Sequence, residues 1–274
     1  MRPIIIVSWN TQGGAFAGNI PKINVLYKCF NKGYDFICIQ EATEPIPAFT
    51  RLDPLGKVII PPYSTHKGVD LYIYPNTSLA TRSSPRTEEK STGVEAYCCY
   101  YYRWGKTRQH SLVTYVKSTL IRSDNFGAFE YEDGDEIRPM LWVQVPGENF
   151  IIGNVHLPSG KEPFASKAFN EFKSVIASKG RPYAIVGDFN MDNKYLDKRP
   201  DKEYFHSVTV PTQSRGKTLD HVYCENGKVI FNGEDDIKTS DHRFLKITLY
   251  PNSIVSKRKP EADEQAPAAK RRKM

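Results

Sequence analysis

Six short segments of this sequence share one pattern, and that pattern limits the folds open to the chain. Each is an apolar, strand-like run that ends in an acid, an amide or a histidine. The polar residues at these ends are Asn10, Glu41, His156, Asp188 with Asn190, Asp220, and the pair Asp241 and His242. Open α/β folds place polar groups at the carboxyl ends of buried strands, so the pattern favours a fold of that kind.

The first two of these segments are joined by a predicted helix. Residues Pro3–Asn10 are β-branched and apolar, as expected of a buried strand, and a turn-forming Gln-Gly-Gly stretch follows them. A helix fits about residues 20–32, and Tyr34–Gln40 is a second buried strand that ends at Glu41. The order strand, helix, strand predicts that Asn10 and Glu41 lie at the ends of neighbouring strands.

The rest of the chain is predicted to contain mainly strands. Residues 42–93 are rich in Pro, Ser and Thr and are interpreted as mostly loop, and the acidic stretch Glu130–Glu136 is interpreted as another loop. A helix is expected over 162–179, with apolar positions at Phe164, Ala168, Phe172 and Ile176. The predicted strands are Val69–Tyr74, Tyr97–Tyr102, Leu112–Lys117, Met140–Val145, Phe150–His156, Tyr183–Asp188, His221–Cys224 and Phe244–Tyr250. Successive strands with little helix between them favour antiparallel pairing.

The composition separates a globular domain from a basic tail. Hydrophobic residues make up 39% and charged residues 25% of the 274 residues, as in globular proteins. The apolar pattern stops after Pro251, so we predict one catalytic domain over 1–250 and a disordered tail over 251–274. Within the net charge of +7, residues 256–274 carry seven Lys or Arg against three acids. An excess of positive charge suits a polyanionic partner without specifying which one.

Membrane and disulfide-rich classes are disfavoured. No apolar run approaches the length of a bilayer span, and the opening MRPIIIVSWN is too short for the apolar region of a signal peptide. The five cysteines are odd in number and lack C-x-x-C spacing, which favours a reduced compartment and no structural zinc. We therefore expect no membrane span.

The residue types at the strand ends are those that phosphodiester hydrolysis needs. A hard cation such as Mg²⁺ prefers carboxylate and amide oxygens, and it can neutralise a phosphate and stabilise the charge that grows in the transition state. An imidazole can take a proton from the attacking water, and a second acid or imidazole can assist the leaving oxygen.

The motifs together resemble one family, the endonuclease/exonuclease/phosphatase superfamily, which includes deoxyribonuclease I and the B subunit of cytolethal distending toxin. They are SWNTQG at 8–13, IQEA at 39–42, VHLPSG at 155–160, GDFN at 187–190, TLDH at 218–221 and SDHRFLKI at 240–247. The toxin subunit is the nearer resemblance, because WNTQG, QEA and PTQ-x-x-G-x-x-LD echo its pattern. The resemblance covers about residues 4–249 and implies a four-layer α/β sandwich of two packed, mixed, mostly antiparallel sheets flanked by helices.

The resemblance also implies a role for each matched residue. Glu41 would be the principal metal ligand, with Asn10 beside it and Asp241 completing the surroundings of Mg²⁺, for which Mn²⁺ and Ca²⁺ are alternatives. Asp188 and Asn190 would hold the scissile phosphate and the attacking water, and Arg138 would contact phosphate. His156 and His242 would form the acid–base pair; Asp220 would orient one imidazole and Glu95 the other. His221, in the same TLDH motif, would be part of a strand without a catalytic role.

Several of these features have structural interpretations too. Taken alone, Asn10 is typical of a turn, Asp188–Asn190 of a capping turn and Asp241 of a helix N-cap. The aromatic run Tyr97–Trp104 could stack bases, but alternation of core and solvent positions along a strand explains it more simply. Arg103, Lys106 and Arg108 could contact a phosphate backbone, with a solvated basic loop as the default interpretation.

We therefore predict a metal-dependent deoxyribonuclease that acts on DNA in a nucleus, as a genotoxin would. The two basic clusters of the tail resemble a bipartite nuclear-import signal recognised by an import receptor, with a DNA-anchoring tail as the alternative. Three other functions remain open: a phosphoinositide phosphatase, a repair endonuclease specific for abasic sites, and a non-catalytic binding protein. A delivery subunit cannot be read from this chain.

Overall fold

The computed structural model describes most of the predicted domain. The described residues are 2–12, 20–42, 64–66, 68–74, 97–104, 110–117, 125–134, 136–145, 147–160, 162–235 and 240–252. The tail from residue 253 onward, Glu95, Lys106 and Arg108 lie outside them. The predicted domain boundary therefore stays a prediction.

The first sheet contains eight strands in the described part of the chain. These are β1 (Ile4–Asn10), β2 (Phe36–Gln40), β3 (Ser64–His66), β4 (Val69–Tyr74), β5 (Tyr97–Trp104), β6 (His110–Lys117), β13 (Gly227–Asp235) and β14 (Phe244–Pro251). Their order across the sheet is β13-β14-β1-β2-β6-β5-β4-β3. β1 and β2 are parallel, and helix α1 (Ile20–Asn31) connects them, as the sequence predicts.

The second sheet contains six strands in the same described part. These are β7 (Phe126–Asp133), β8 (Glu136–Gln144), β9 (Ile151–His156), β10 (Tyr183–Asp188), β11 (Phe205–His206) and β12 (Asp220–Cys224). Their order is β11-β12-β10-β9-β8-β7. Helix α2 (Glu162–Ala177) joins β9 to β10, which are parallel, and the short helix α3 (Asn193–Leu196) and a 3-10 turn (Lys202–Tyr204) follow β10.

Apolar side chains on both faces of both sheets produce four layers. Ile6 of β1, Phe36 of β2 and Val186 of β10 belong to the core between the sheets. Helix α1 packs on the outer face of the first sheet through Leu26 and Phe30. Helix α2 covers the outer face of the second sheet. The predicted four-layer sandwich, with mixed and mostly antiparallel sheets, is confirmed.

Helix α2 buries three of the four apolar positions predicted for it, and Phe164 is the exception. Its buried residues are Ala165, Ala168, Phe169, Phe172 and Ile176, while Phe164 is 37% exposed. A spacing of four residues repeated three times drifts around a helix of 3.6 residues per turn, so a stripe that starts at Phe164 leaves the buried face. The observed stripe mixes spacings of three and four residues and stays on one side.

One hairpin and one strand differ from what the sequence predicts. The acidic stretch Glu130–Glu136 is the end of a hairpin between β7 and β8, and Gly134 takes the left-handed turn position with φ 63°. The aromatic strand β5 is buried on both faces for most of its length, so its predicted alternation of core and solvent is wrong. Tyr97, Tyr100 and Tyr101 are core residues and are not available to stack bases.

Two further observations concern membranes and thiols. No helix in the described ranges is long and apolar enough to cross a bilayer. Cys29, Cys38, Cys98, Cys99 and Cys224 are all buried, and none of them is in a disulfide.

Gly187, in the motif GDFN, allows β10 to approach β9 closely. It has φ 139°, and a Cβ at this position would lie 2.1 Å from the carbonyl oxygen of Val155.

We expect Gly187→Ala to lower the free energy of unfolding by about 3 kcal/mol or more, because overpacking and backbone strain add. Chemical denaturation measures this. In the control Gly180→Ala, φ is also positive (+66°) but nothing lies within 4 Å, and only the left-handed penalty of about 1–2 kcal/mol is expected. Equal losses in both variants would contradict the prediction.

Candidate active site

The register of the strands explains why distant segments meet. Asn10 at the end of β1 pairs with Gln40 at the end of β2 in the first sheet. His156 at the end of β9 pairs with Asp188 at the end of β10 in the second sheet, and antiparallel β12 places Asp220 opposite Asp188. The sheets pack face to face, so these ends meet at one edge of the sandwich.

Three residues at this edge have a backbone conformation that L-residues rarely adopt. Among the described residues other than glycine, only Gln12, Glu41 and Asn190 have positive φ, at 57°, 55° and 50°. Such conformations cost on the order of 1–3 kcal/mol each and persist where surrounding contacts enforce them. Beside Glu41, the Thr11 hydroxyl lies 3.1 Å from the Glu41 carbonyl oxygen and donates to it. The strain is therefore concentrated where the polar side chains converge.

Asp188 is the centre of the cluster. Its Oδ2 accepts a hydrogen bond from Asn10 Nδ2 at 2.9 Å. The Nε2 atoms of His156 and His242 each lie 3.7 Å from the same oxygen. Two imidazoles therefore face one buried carboxylate.

Glu41 and Asn10 complete the side of the cluster formed by the first sheet. Glu41 Oε1 lies 3.2 Å from His156 Nε2 and accepts from Asn10 Nδ2 at 3.3 Å. The amide of Asn10 thus connects the carboxylates of Glu41 and Asp188. Its Oδ1 accepts the backbone N–H of Gln12 at 2.8 Å, which fixes the orientation of the amide.

The second imidazole is paired with a buried acid. His242 Nδ1 lies 2.9 Å from Asp220 Oδ2, and both side chains are at least 95% buried. Burial by itself would lower the pKa of His242, but the carboxylates of Asp220, Asp188 and Asp241 outweigh it and raise the pKa to about 10. His242 is therefore an imidazolium at neutral pH.

The first imidazole has the opposite charge state. Burial lowers the pKa of His156, and the cationic Arg138 and the neighbouring histidines His242 and His110 add to the effect, so that the pKa is about 3. His156 is therefore neutral at neutral pH. Burial also raises the pKa of Asp188, and the charge of Asp220 adds to the effect. The site holds one protonated and one neutral imidazole on either side of Asp188.

The raised pKa of His242 makes the stability of the fold depend on pH. Because its pKa rises from about 6.5 in an unfolded chain to about 10 when folded, the stability that it contributes is complete below pH 6.5. That stability is lost as the pH rises toward 10. We expect the free energy of unfolding, measured with a chelator present, to fall between about pH 6.5 and 8.5, and we expect His242→Asn to flatten this slope.

A histidine outside the site provides the control for this measurement. Burial lowers the pKa of His206 and of His221, as it does for His156, so all three stay neutral throughout this pH range. His206→Asn should therefore keep the wild-type slope. A flat profile in the wild-type protein would contradict the pairing of His242 with Asp220.

The remaining predicted residues surround this centre. The backbone N–H of Asn190 donates to Asp188 Oδ1 at 2.9 Å, and its side chain donates to the Leu157 carbonyl at 2.8 Å. Arg138, on β8, is close enough to lower the pKa of His156. The structure thus brings together the nine predicted site residues that it describes, and their individual roles stay predictions. His221 binds Met191 O and Ser207, as a structural residue would.

The carboxylate and amide oxygens of the cluster fit a divalent cation. No three His, Cys, Asp or Glu side chains in the described ranges are placed to hold a metal ion by themselves. Mg²⁺ commonly uses only one or two carboxylates and completes its shell with waters and substrate phosphate. Asp241 Oδ1 is buried and has no hydrogen-bond partner. A buried carboxylate oxygen without a donor suits a cation, so the residues present fit one.

Sequence reasoning missed the residues that hold the late segments in place. The Thr212 hydroxyl accepts the backbone N–H groups of Leu219 and Asp220 at 2.9 and 3.1 Å. Gln12 Oε1 accepts the backbone N–H of Asp241 at 3.0 Å, and Gln213 Nε2 lies 3.4 Å from the Asp241 carboxylate. Gln12 lies in the motif SWNTQG, and Thr212 and Gln213 lie in the motif PTQ. Their place in these two motifs is the one sequence feature that could have indicated a role at the site.

Comparison with known proteins gives a consistent result. The sequence model of the Endonuclease/Exonuclease/phosphatase family matches residues 7–242. No curated protein sequence matches the chain. Among solved structures, the cytolethal distending toxin of Haemophilus ducreyi is 20% identical with a TM-score of 0.57, covering 91% of this chain and 98% of that chain.

Two further structures share the fold at lower identity. Truncated TDP2 of Caenorhabditis elegans is 14% identical with a TM-score of 0.56, covering 90% of this chain and 97% of that chain. The human Nocturnin catalytic domain, solved with a bound sulfate anion, is 14% identical with a TM-score of 0.53, covering 90% of this chain and 93% of that chain.

Proposed function

Because this chain belongs to the endonuclease/exonuclease/phosphatase family, we propose that it is a divalent-metal-dependent phosphodiesterase, and specifically a DNA endonuclease. One observation carries the proposal: the buried Asp188 carboxylate lies between the imidazoles of His156 and His242, with each Nε2 3.7 Å from its Oδ2. A pair of titratable groups whose pKa values are pushed apart is what acid–base catalysis at one pH requires.

The charge states assign a direction of proton transfer. The neutral His156 can accept a proton at Nε2 from a water molecule that attacks phosphorus, while the imidazolium of His242 can donate one from Nε2 to the leaving sugar oxygen. Asp220 holds the ring of His242 in the orientation for this step by accepting a hydrogen bond from Nδ1. Asp188 and Asn190 position the water and the phosphate between the imidazoles. Glu95 would orient His156, and Arg138 would bind a phosphate oxygen in a bidentate geometry.

Residues of the same cluster would hold a divalent cation. Glu41 would be its principal ligand, with Asp241 and the Oδ1 atom of Asn10 beside it. Mg²⁺, or alternatively Mn²⁺ or Ca²⁺, neutralises phosphate charge when bound and stabilises the charge that develops in the transition state.

A groove formed by chain segments that adjoin Asn190 and Asp220 in sequence supports a polymeric substrate. The groove has a volume of about 580 Å³ and is lined by Lys194, Lys198 and Lys217, together with the acids Glu162 and Asp192. All three lysines are exposed. The groove also includes Thr218, two residues before Asp220. A nucleic-acid strand that leaves the site could therefore meet three cations, whereas a single phosphate ester would not reach them.

We expect the triple change of Lys194, Lys198 and Lys217 to alanine to weaken binding of duplex DNA and to reduce the slope of log Kd against log salt by about 2–3, since each lost phosphate contact removes about one unit. Fluorescence anisotropy with a chelator present measures both. Hydrolysis of the small diester bis(p-nitrophenyl) phosphate should not change. Alanine at the exposed Lys28, Lys32 and Lys228, away from the groove, is the control. An unchanged slope would remove the groove from the substrate path.

The deciding experiment offers several substrates to the purified protein. Supercoiled DNA, an abasic duplex, RNA and a phosphoinositide are each incubated with Mg²⁺ and with a chelator. Nicking of plasmid DNA that the chelator abolishes is the expected result. Phosphate release from the lipid without nicking would favour a phosphatase, and far faster cutting of the abasic duplex would favour a repair enzyme. DNA binding without turnover would leave only a binding protein.

The basic tail supports action in a nucleus. Residues 257–259 and 270–273 form its two basic clusters, and we propose that an import receptor binds both, each in an acidic groove. Fluorescent fusions of the chain should enter nuclei, and alanine substitution of Lys270, Arg271, Arg272 and Lys273 should prevent this. Substitution of the acids between the clusters is the control. Unchanged entry would leave the tail as a DNA-anchoring segment.

A further inference from the structure

Two amide side chains join the sheets directly below the candidate active site. Gln40 of β2 and Asn154 of β9 are completely buried, and Gln40 Nε2 donates to Asn154 Oδ1 at 2.8 Å. Gln40 precedes Glu41 in the chain, and Asn154 is two residues before His156 on the same face of β9. The inter-sheet contact therefore lies next to the contact between Glu41 and His156.

The Asn154 side chain extends this connection to a third strand. Its Nδ2 lies 3.2 Å from the carbonyl oxygen of Ile39 on β2 and 3.0 Å from that of Val113 on β6, and it donates to both. One side chain of the second sheet is thus fixed against two adjacent strands of the first. Hydrogen bonds are directional, so they resist the lateral movement that apolar packing alone allows.

We propose that Gln40 and Asn154 are positioning residues that set the separation between Glu41 and His156. The proposal rests on the proposed function and names residues to which that function assigns no role.

The polar pair is not needed to fill the core. The inward positions farther from the strand ends are apolar, with Phe36 and Cys38 on β2 and Ile152 on β9. Gln40 Oε1 is buried without a hydrogen-bond partner, which carries a desolvation cost that an apolar side chain of equal size would not have. On these two strands, the polar pair replaces apolar side chains only beside the strand ends that carry Glu41 and His156. Its position therefore suits a role in fixing the distance between those two residues better than a role in core packing.

The separation between Glu41 and His156 tolerates little change. Glu41 Oε1 and His156 Nε2 are 3.2 Å apart and belong to different sheets. A misplacement of about 1 Å in a catalytic arrangement can reduce the rate about 10²-fold. Glu41 also lies past the end of β2 in a strained conformation, with φ 55°, so the strand ladder does not continue to it.

The test replaces the two amides by apolar side chains of similar size. Gln40→Met and Asn154→Leu should each lower Tm, since the first leaves Asn154 Oδ1 without its donor and the second removes the acceptor of Gln40 Nε2 and the donor to the Ile39 and Val113 carbonyls. The double variant leaves neither buried amide with a missing partner and should recover part of the lost Tm. Its kcat for plasmid nicking should stay at least about 10-fold below wild type, with KM for DNA nearly unchanged, because the catalytic geometry is altered and the DNA surface is not.

A matched control and a structural measurement complete the test. Ile152→Ala removes a buried side chain on the same face of β9, two residues before Asn154, and should lower Tm without lowering kcat. A crystal structure of the double variant should show Glu41 Oε1 and His156 Nε2 displaced from their 3.2 Å contact. Recovery of kcat together with Tm, or an unchanged separation in the crystal, would overturn the proposal. The crystal result decides the matter even if the wild-type protein does not nick DNA, an outcome that would contradict only the proposed function.

Discussion

His242→Asn should reduce kcat for plasmid nicking by about 10²–10⁴-fold, which is the contribution of a general acid or base. The asparagine amide can occupy the position of Nδ1 and keep donating to Asp220, which lies 2.9 Å from Nδ1 in the wild type. What it lacks is the Nε2–H that faces Asp188. The variant therefore separates the loss of the acid from the loss of the buried hydrogen bond.

The control for this variant is His206→Asn, which changes a half-buried histidine on β11, outside the catalytic cluster. It should keep wild-type kcat and KM. Rates are compared by following the conversion of supercoiled to relaxed plasmid in Mg²⁺, and circular dichroism verifies folding. If folded His242→Asn retains more than half of the wild-type kcat, then His242 is not the acid.

Glu41→Gln should reduce kcat/KM by about 10³-fold, because the change removes the charge that would hold the cation, and a bound cation contributes several kcal/mol of transition-state stabilisation. Glutamine keeps the length of the side chain and can still accept a hydrogen bond from Asn10. Isothermal titration of the protein with Mg²⁺ should show weaker binding, a result that does not depend on any assay of activity.

Glu203→Gln is the matched control, because Glu203 is an exposed carboxylate in the 3-10 turn Lys202–Tyr204. It should leave both cation affinity and kcat/KM unchanged. Loss of activity in Glu41→Gln with unchanged affinity for Mg²⁺ would assign Glu41 to proton transfer instead of cation binding. Full activity would exclude it from the site.

The parts of the fold that could be predicted from sequence are those with a regular apolar period. β1, β2, β9 and β10 are buried on both faces for nearly their whole length, and helices α1 and α2 make the connections long enough for parallel pairing. The hairpin of β7 and β8 was not predicted as such because β7 is an edge strand. Its half-exposed positions include Glu130, Glu132 and Asp133, so its composition resembles that of a loop.

The candidate site likewise has features that could be predicted from the sequence and features that could not. The meeting of Asn10, Glu41, His156 and Asp188 follows from the rule that parallel strands present their carboxyl ends at one edge. The charge states of His156 and His242 could not be predicted, because they depend on burial and on which carboxylates approach each ring. The left-handed conformations of Glu41 and Asn190 likewise arise from tertiary contacts, since neither residue type requires them.

The contact between the first strand and the segment before the last strand has a consequence for protein synthesis. The Ser240 hydroxyl donates to the carbonyl of Asn10 at 2.7 Å, across 230 positions of sequence. Asp241 and His242 follow directly in the chain, and β14 (Phe244–Pro251), which begins two residues after His242, is the partner of β1. A chain still being made on a ribosome can complete neither the first sheet nor the pair of imidazoles until the last strand has emerged. Nascent and truncated chains should therefore be harmless to the nucleic acids around them, and catalytic power should appear in a single step with completion of the domain.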